Sequence, residues 1–371
     1  MKFLPKITIY DKFMFTQVLT TSVVAILLFT VVWIAPEMLL KTIKATLAGQ
    51  YTIKTAVLIL ACELPKILGK ALPVGLLLGS LFTFDKLSKD SELTIFRAVG
   101  MSFSRIIAPI IVLSVFFTAL CFVTYDKLIP YSVNKMKEIK GDSTVTQYIY
   151  TQKDVNNVPT VAVIVSKFKK DEMHNVIVLD FANKRYTDVH QLNTIYHAKT
   201  GQTLKDKWHL QNITEYVIST DGIFVEINKI PEMDILEGID AQNAYTLMTN
   251  SVKKEREINN TDLKNYVNLL KKEGLDEEYS LMKNKYLQRF FHPFVCMLLA
   301  IMGALLGFSK PREQRLIGFT IAIGCIFLYY ITLPFFDLLA EKEILPPLMT
   351  AIFPPTAFLI AIIAFYRSKD L

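Results

Sequence analysis

The sequence predicts a membrane α-helical protein with six transmembrane helices and an inserted all-β domain. Three observations carry that prediction. Hydrophobic residues make up 52% of the 371 and charged ones only 20%, where a soluble domain carries about 25% charge. Five runs free of Asp, Glu, Lys and Arg each approach the ~20 residues that cross a bilayer. Between two groups of spans lies a polar stretch, Asp126 to about Lys285, in which short β-type runs recur.

The five clean runs are Phe13–Ala35, Ile106–Tyr125, Phe290–Phe308, Leu316–Phe336 and Leu345–Tyr366. A sixth segment, Thr55–Phe84, is long enough but contains Glu63, Lys66 and Lys70. Its clean part, Ala71–Phe84, is too short to span alone, so the segment reads as a helix whose outer part is functionalised. The first run is longer than a signal-peptide core and lacks a following A-x-A site, so it reads as an uncleaved anchor.

The net charge of +7 reports topology in such a chain rather than nucleic-acid binding. Lys2, Lys6 and Lys12 precede the first span. Lys86, Lys89, Arg97 and Arg105 lie between the second and third, and Lys310, Arg312 and Arg315 between the fourth and fifth. Arg367 and Lys369 follow the last. The opposite short loops hold only Lys41, Lys44, Lys54 and Lys342. Positive charge accumulates on the cytoplasmic side, so both termini are expected inside and the large insert outside.

Within the insert, Thr160–Phe168, Asn175–Phe181, Asn193–Ala198, Trp208–Glu215 and Phe224–Ile230 are rich in Val, Ile, Thr and Tyr. Runs of that length and spacing predict an antiparallel sandwich or barrel, with turns at Asn156-Asn157 and Asp221-Gly222. From about Thr261 the pattern turns helical, with Leu263, Tyr266, Val267 and Leu270 on one face and Gly274 as a stop.

Several chemistries have no motif here. There is no Walker A loop, no H-E-x-x-H and no G-x-S-x-G elbow. Cys62, Cys121, Cys296 and Cys325 fall in or beside apolar runs without C-x-x-C spacing, which reads as buried thiols rather than a zinc site or disulfide framework. His292, just before Pro293, reads as an interfacial histidine. No cofactor and no covalent chemistry are expected.

Two constellations stand out. In the segment Leu87–Gly100, Ser88 or Asp90 can cap a short helix and Asp90 and Glu92 suit its N-terminus. Leu93, Phe96 and Val99 or Gly100 share a face, and Gly100 can end the helix. Such a helix either rests on the lipid surface or plugs into a cytoplasmic motor. The second constellation is Glu63, Lys66 and Lys70, at spacings of three and four on one helical face. Counting back from Phe84 at about 1.5 Å per residue puts Lys70 roughly 21 Å from the cytoplasmic end, within the outer leaflet. A lysine there is either functional, or belongs to a Glu63–Lys66 pair with Lys70 snorkelling. Lys41 and Lys44 add positive charge at the same level, so an anionic outer-leaflet partner is the simpler account. Gly303 and Gly307 form a G-x-x-x-G pattern that permits close helix packing.

These features together resemble the LptF/LptG family, the permease subunits of the lipopolysaccharide export ABC transporter. The order of three spans, outer β-domain and three spans matches over nearly the whole chain. Ser88–Gly100, with Glu92, Arg97 and Gly100, resembles the family's coupling helix. Leu128–Asn134 resembles its segment after the third span, with Ser132 in place of the usual Ala. Trp208, Leu210 and Asn212 resemble its W-x-L-x-N strand, and Leu263, Tyr266 and Gly274 its connector. Arg315–Gly318, Tyr329-Tyr330 and Leu345–Pro347 resemble its last spans.

The resemblance implies spans one to three over 1–125 with a coupling helix at about 87–100, and a periplasmic β-jellyroll over 126–260. It further implies a helical connector over 261–285 and spans four to six over 286–371. It implies partners: a cytoplasmic ABC ATPase dimer bound through Glu92, Leu93, Phe96 and Arg97, a second permease subunit, and a periplasmic bridge that accepts the lipid. The first and fifth spans would line a lateral gate. Lys41, Lys44, Lys66 and Lys70 are the residues expected to hold the lipopolysaccharide. Two other classes stay open on the residues alone: a membrane sensor with an outer β-domain, and an exporter of another anionic lipid or lipoprotein.

Overall fold

The computed structural model describes residues 8–34, 39–140, 144–153, 159–169, 171–186, 191–204, 206–219, 223–251, 253–308 and 316–368. The expected turns at Asn156-Asn157 and Asp221-Gly222, and the loop charges Lys2, Lys6, Lys310, Arg312, Arg315 and Lys369, lie outside the described residues. By internal contacts the chain divides into two units, 1–139 with 255–267 and 274–371, and 140–254 with 268–273.

The first unit is built on α1 (Ile9–Ile34), α3 (Ile53–Lys89), α5 (Phe103–Val123), α10 (Phe294–Gly307), α11 (Leu316–Glu341) and α12 (Pro347–Ser368). Shorter helices join them: α2 (Leu40–Leu47), α4 (Glu92–Ala98), α6 (Ile129–Lys140) and α9 (Asp276–Phe291). Five described helices are long and apolar enough to cross a membrane. The pair α9 and α10, bent by 52° at His292-Pro293, makes a sixth. Counting that pair as one span, the described helices supply the six expected by length and composition.

Helix α3 is the central element. Its apolar stretch is 78% buried, whereas α11 and α12 leave most of theirs outward. Helices α1 and α10 approach it through glycines. A Cβ on Gly79 would lie 2.6 Å from Ser22 Cα, and one on Gly307 would lie 2.5 Å from the Leu81 carbonyl and 2.7 Å from Phe84 Cβ. Carbon contacts settle near 3.5–4.0 Å, so no side chain fits. The G-x-x-x-G pattern at Gly303 and Gly307 thus serves the α10–α3 contact, and Gly75 and Gly79 form a second pair facing α1. Polar bonds line these seams. Thr21 Oγ1 lies 2.9 Å from Thr83 Oγ1 and 3.1 Å from the Gly79 carbonyl, and Ser88 Oγ donates to the Gly307 carbonyl at 3.1 Å. Met14, Val18, Leu76, Leu77, Phe84 and Leu305 fill the core around them.

Three helices outrun their apolar runs. The third span does not stop at Tyr125: a π-helical turn, Thr124–Leu128, carries it into α6. The fourth is preceded by the polar α9, and α11 extends past Phe336 to take in Asp337. Hydropathy marks where a helix leaves the hydrocarbon, whereas backbone hydrogen bonding decides where it ends.

The second unit holds one antiparallel sheet: β1 (Thr144–Lys153), β2 (Pro159–Lys169), β3 (Glu172–Tyr186), β4 (Gln191–Thr203), β5 (Lys207–Ser219) and β6 (Phe224–Glu237). The strands pair in sequence order. The insert is thus the antiparallel all-β element expected, arranged as a meander without crossovers. Val165, Val176, Ala198 and Ile213 stand opposite one another across four strands and are all buried, so alternation sets one inner face. Helix α7 (Ile239–Ser251), unanticipated from the sequence, buries Ala241, Ala244, Leu247 and Met248 and accepts at the Ala241 carbonyl from Trp208 Nε1, 3.2 Å away. Trp208 and Leu210 of the W-x-L-x-N run point inward, and Asn212 sits at φ 56°, a region Asn tolerates. Helix α8 (Asn260–Lys272) buries the expected Leu263, Tyr266, Val267 and Leu270, and Gly274 follows at φ 68°.

Gly303→Val should destabilise the protein by about 3 kcal/mol, the upper range for overpacking, because backbone rather than a movable side chain blocks the new atoms. Gly324→Ala, where a Cβ meets nothing within 4 Å, should leave stability unchanged. Thermal unfolding in detergent checks both, and equal loss in the two variants would show that the glycine seam is not what holds these helices together.

Candidate functional site

A cavity of about 190 Å³ opens in the first unit. Helix α3 contributes Lys66 and Lys70, whose spacing of four puts both on the same side. Helix α9 contributes Lys285, Gln288 and Arg289, the residue that caps its end adds His292, and α11 adds Tyr330 and Asp337. The 3-10 turn Glu255–Glu257 supplies Glu255 and Arg256. Five cationic side chains therefore face two acidic ones in the lining.

Each cation is held differently. Lys66 Nζ is 3.5 Å from the Glu63 carboxylate, with Glu63 buried and Lys66 half-buried. The Glu63–Lys66 pair that the spacing allows is thus realised, although the contact is long. Arg256 Nε meets Glu255 at 3.1 Å. Arg289 is buried and donates to Asn260 Oδ1 at 2.9 Å and to the Glu255 carbonyl, with the Glu255 and Asp126 carboxylates acting on its charge. Lys285 pairs with Asp337. At Lys70 the backbone carbonyl accepts from Tyr330 Oη at 2.8 Å.

The surrounding scaffold is polar and braced. His292, expected at an interface, is buried, with Tyr125 Oη 3.2 Å from Nε2 and Tyr329 Oη at Nδ1. One ring nitrogen donates and the other accepts, so the imidazole ties α10's start to the π turn and to α11. Pro73 removes the donor that would serve the Gly69 carbonyl, and Cys121 Sγ approaches that carbonyl at 4.0 Å. Asp126 accepts from the Asn260 amide at 3.0 Å, and Asn134 donates to the Glu257 carbonyl at 3.1 Å. Lys137 Nζ is 2.6 Å from Glu257. Asn134 and Lys137 thus hold the turn that carries Arg256 through Glu257.

Of the four lysines expected at a lipid site, Lys66 and Lys70 share this cavity. Lys41 and Lys44 lie exposed on α2 and do not line it. Lys285, Arg289 and Asp337 were not drawn from the sequence. Lys285, Arg289 and His292 follow the same spacing of four and three as Glu63, Lys66 and Lys70 read in reverse, but they sit in a charged run that hides the pattern. Asp337 lies one residue beyond an apolar run.

The second candidate site is α4. The expected cap fails: Ser88 lies inside α3 and bonds to Gly307, Asp90 is the C-cap of α3, and Ser91 precedes α4 at φ 63° without a side-chain bond. Helix α3 simply runs on to Lys89, since its residues find core partners there. Gly100 ends α4 as expected, at φ 86°. Its amide bonds to the Arg97 carbonyl and that of Met101 to the Phe96 carbonyl, the Schellman arrangement. Leu93 is buried, and Phe96 packs edge-on against Tyr10 with centroids 4.9 Å apart. Glu92 is half-buried, and exposed Arg97 lies over the Phe308 ring. Val99 does not join the inner face; it is 78% exposed, beside exposed Ile95. Leu93 and Phe96 therefore anchor the helix, and Ile95, Arg97 and Val99 face outward.

Leu93→Ala should lower stability by about 2–5 kcal/mol as a buried truncation, and Ile95→Ala by less than about 0.5 kcal/mol. Chemical or thermal unfolding distinguishes them; the reverse order would mean α4 docks by its other face.

The family model described as "Lipopolysaccharide export system permease LptF/LptG" matches residues 12–368, nearly the whole chain. No individual curated protein matches the chain by sequence.

Proposed function

This chain belongs to the LptF/LptG family of lipopolysaccharide export permeases, and from that premise we propose how it works. It is a multi-pass membrane protein and a transporter subunit. In our reading it sits in the bacterial inner membrane with both termini cytoplasmic. It pairs with a second permease subunit, identical or paralogous, and with a cytoplasmic ABC ATPase dimer. It lifts lipopolysaccharide from the outer leaflet and passes it, by way of the β domain (126–260), to a periplasmic bridge. Residues 261–285 connect that domain to the last three spans.

The cavity at Lys66 and Lys70 carries this reading. Cations in a low-dielectric site are costly unless an anion faces them. Two of the five have only partial compensation: Lys66 through a long contact, and Arg256 through a carboxylate next to it in sequence. A lipid phosphate supplies three strong acceptors to such donors. Lys41 and Lys44, outside the cavity, serve at most as outer contacts. On the opposite end, half-buried Glu92 and the outward side chains of α4, Arg97 among them, meet the ATPase, while Leu93 and Phe96 transmit its motion into the core.

Lys70→Glu should reduce lipopolysaccharide binding about tenfold or more, the scale of a charge-assisted hydrogen bond lost and a repulsion gained. Lys70→Ala should also reduce it, and Lys70→Arg, which keeps the charge, should retain most of it. Titration of lipopolysaccharide against each variant at low salt measures this, and wild-type binding by Lys70→Glu would remove the site. Separately, Arg97→Glu should reduce ATPase co-purification while the thermal unfolding of the spans stays unchanged; full recovery of the ATPase would exclude α4 as the coupling surface.

A further inference from the structure

Helix α11 is held unlike its neighbours. Only 17% of its apolar stretch is buried, against 78% for α3, and Leu328, Ile331 and Phe335 face outward. Beside the ring contacts of Phe319 with Phe82 and Phe336 with Phe353, it has a row of polar anchors. Tyr329 meets His292, Tyr330 donates to the Lys70 carbonyl at 2.8 Å, and Asp337 takes three donors from one side of α9. Asn284 Nδ2 donates to Asp337 at 2.9 Å, Gln288 Nε2 at 2.8 Å, and Lys285 forms the ion pair. Asn284 is itself braced, its Oδ1 accepting from Thr350 Oγ1 of α12 at 3.0 Å. Lys285 and Gln288 also line the cavity, as do His292 and Lys70.

The Asp337 carboxylate and a phosphate in the cavity require the same donors. Lys285 carries one charge, and two anions sharing it repel each other. Resting on the reading of this cavity as a phosphate site, we infer that Asp337 is a latch. It engages Lys285 and Gln288 from α11 and so holds α11 against α9. A phosphate monoester that takes Lys285 displaces the carboxylate and releases this polar hold of α9 on α11. Asp337 is a positioning residue: it does not contact the ligand, and it lowers the cavity's affinity for anions by competing for their donors. The sign separates this from a structural role. Loss of a structural brace weakens binding, whereas loss of a competing carboxylate strengthens it.

The test uses the full-length protein with its co-eluting subunits in phosphatidylcholine nanodiscs. It is titrated with bis-phosphorylated lipid A, with dephosphorylated lipid A and with inorganic phosphate. Asp337→Asn should bind phosphorylated lipid A about tenfold more tightly than wild type, the scale of one charged hydrogen bond released. Asp337→Glu, which keeps the charge, should stay near wild type. Asn284→Ala, which removes from the latch a neutral donor that does not line the cavity, should gain about twofold to threefold on the same scale. Dephosphorylated lipid A should show no gain. An Asp337→Asn affinity equal to or below wild type, while Lys70→Glu still weakens binding, overturns the latch and leaves the phosphate site standing. Wild-type affinity in Lys70→Glu overturns the site and the latch together. A gain for inorganic phosphate alone assigns the latch to a free anion and overturns the lipid headgroup as its ligand. If Asp337→Asn fails to fold, Asn284→Ala decides, and no gain there overturns the proposal.

Discussion

The close approach of α1 and α10 to α3 is the contact on which the first unit depends. In lipid there is little hydrophobic drive between apolar helices, so association rests on dispersion and on polar bonds made at short range. Gly75 and Gly79 let α1 reach α3, and Gly303 and Gly307 do the same for α10. Backbones brought that close allow Thr21 to meet Thr83 and Ser88 to reach the Gly307 carbonyl. A larger side chain at any of these positions separates the helices and breaks those bonds with them.

Holding α3 this way fixes what its two ends present. Toward Ile53, Lys66 and Lys70 face the cavity. Toward Lys89, Leu87 and Ser88 are buried and α4 follows within three residues. The distance from Lys70 to Lys89 is about 28 Å at 1.5 Å per residue, nearly the hydrocarbon thickness of a bilayer. One element therefore joins the basic cavity to the outward side chains of α4. By contrast, α11 meets this cavity through hydroxyls and a carboxylate, beside its ring contacts at Phe319 and Phe336, and hydrogen bonds can be exchanged for others more readily than glycine contacts can be unpacked.

The parts of this arrangement that were legible in the sequence are those that composition alone encodes. Six spans follow from apolar runs, and five of the strands from clusters of Val, Ile, Thr and Tyr. The α8 face follows from the spacing of Leu263, Tyr266, Val267 and Leu270. Lys66 and Lys70 were visible because charge inside an apolar run is rare. Lys285 and Arg289 carry the same helical spacing but lie among other charges, and Asp337 sits just past a hydropathy boundary that the helix ignores. The cap assigned to Ser88 or Asp90 failed for a related reason. Local capping preference is worth about 1 kcal/mol, and the tertiary packing of Leu87 and Ser88 keeps α3 helical through that point.

Function in this reading turns on phosphate meeting ammonium and guanidinium groups in one cavity of the membrane unit. Solid-state NMR on the protein in lipid containing lipopolysaccharide reads that contact directly, through nitrogen-15 to phosphorus-31 dipolar dephasing of the lysine and arginine side chains. Strong dephasing is expected from a small set of side-chain nitrogens, at the distance of a charge-assisted hydrogen bond, lost together when Lys66 and Lys70 are both replaced by Met. Dephasing that survives that double replacement unchanged, or that is absent from the wild type during lipid binding, would contradict it.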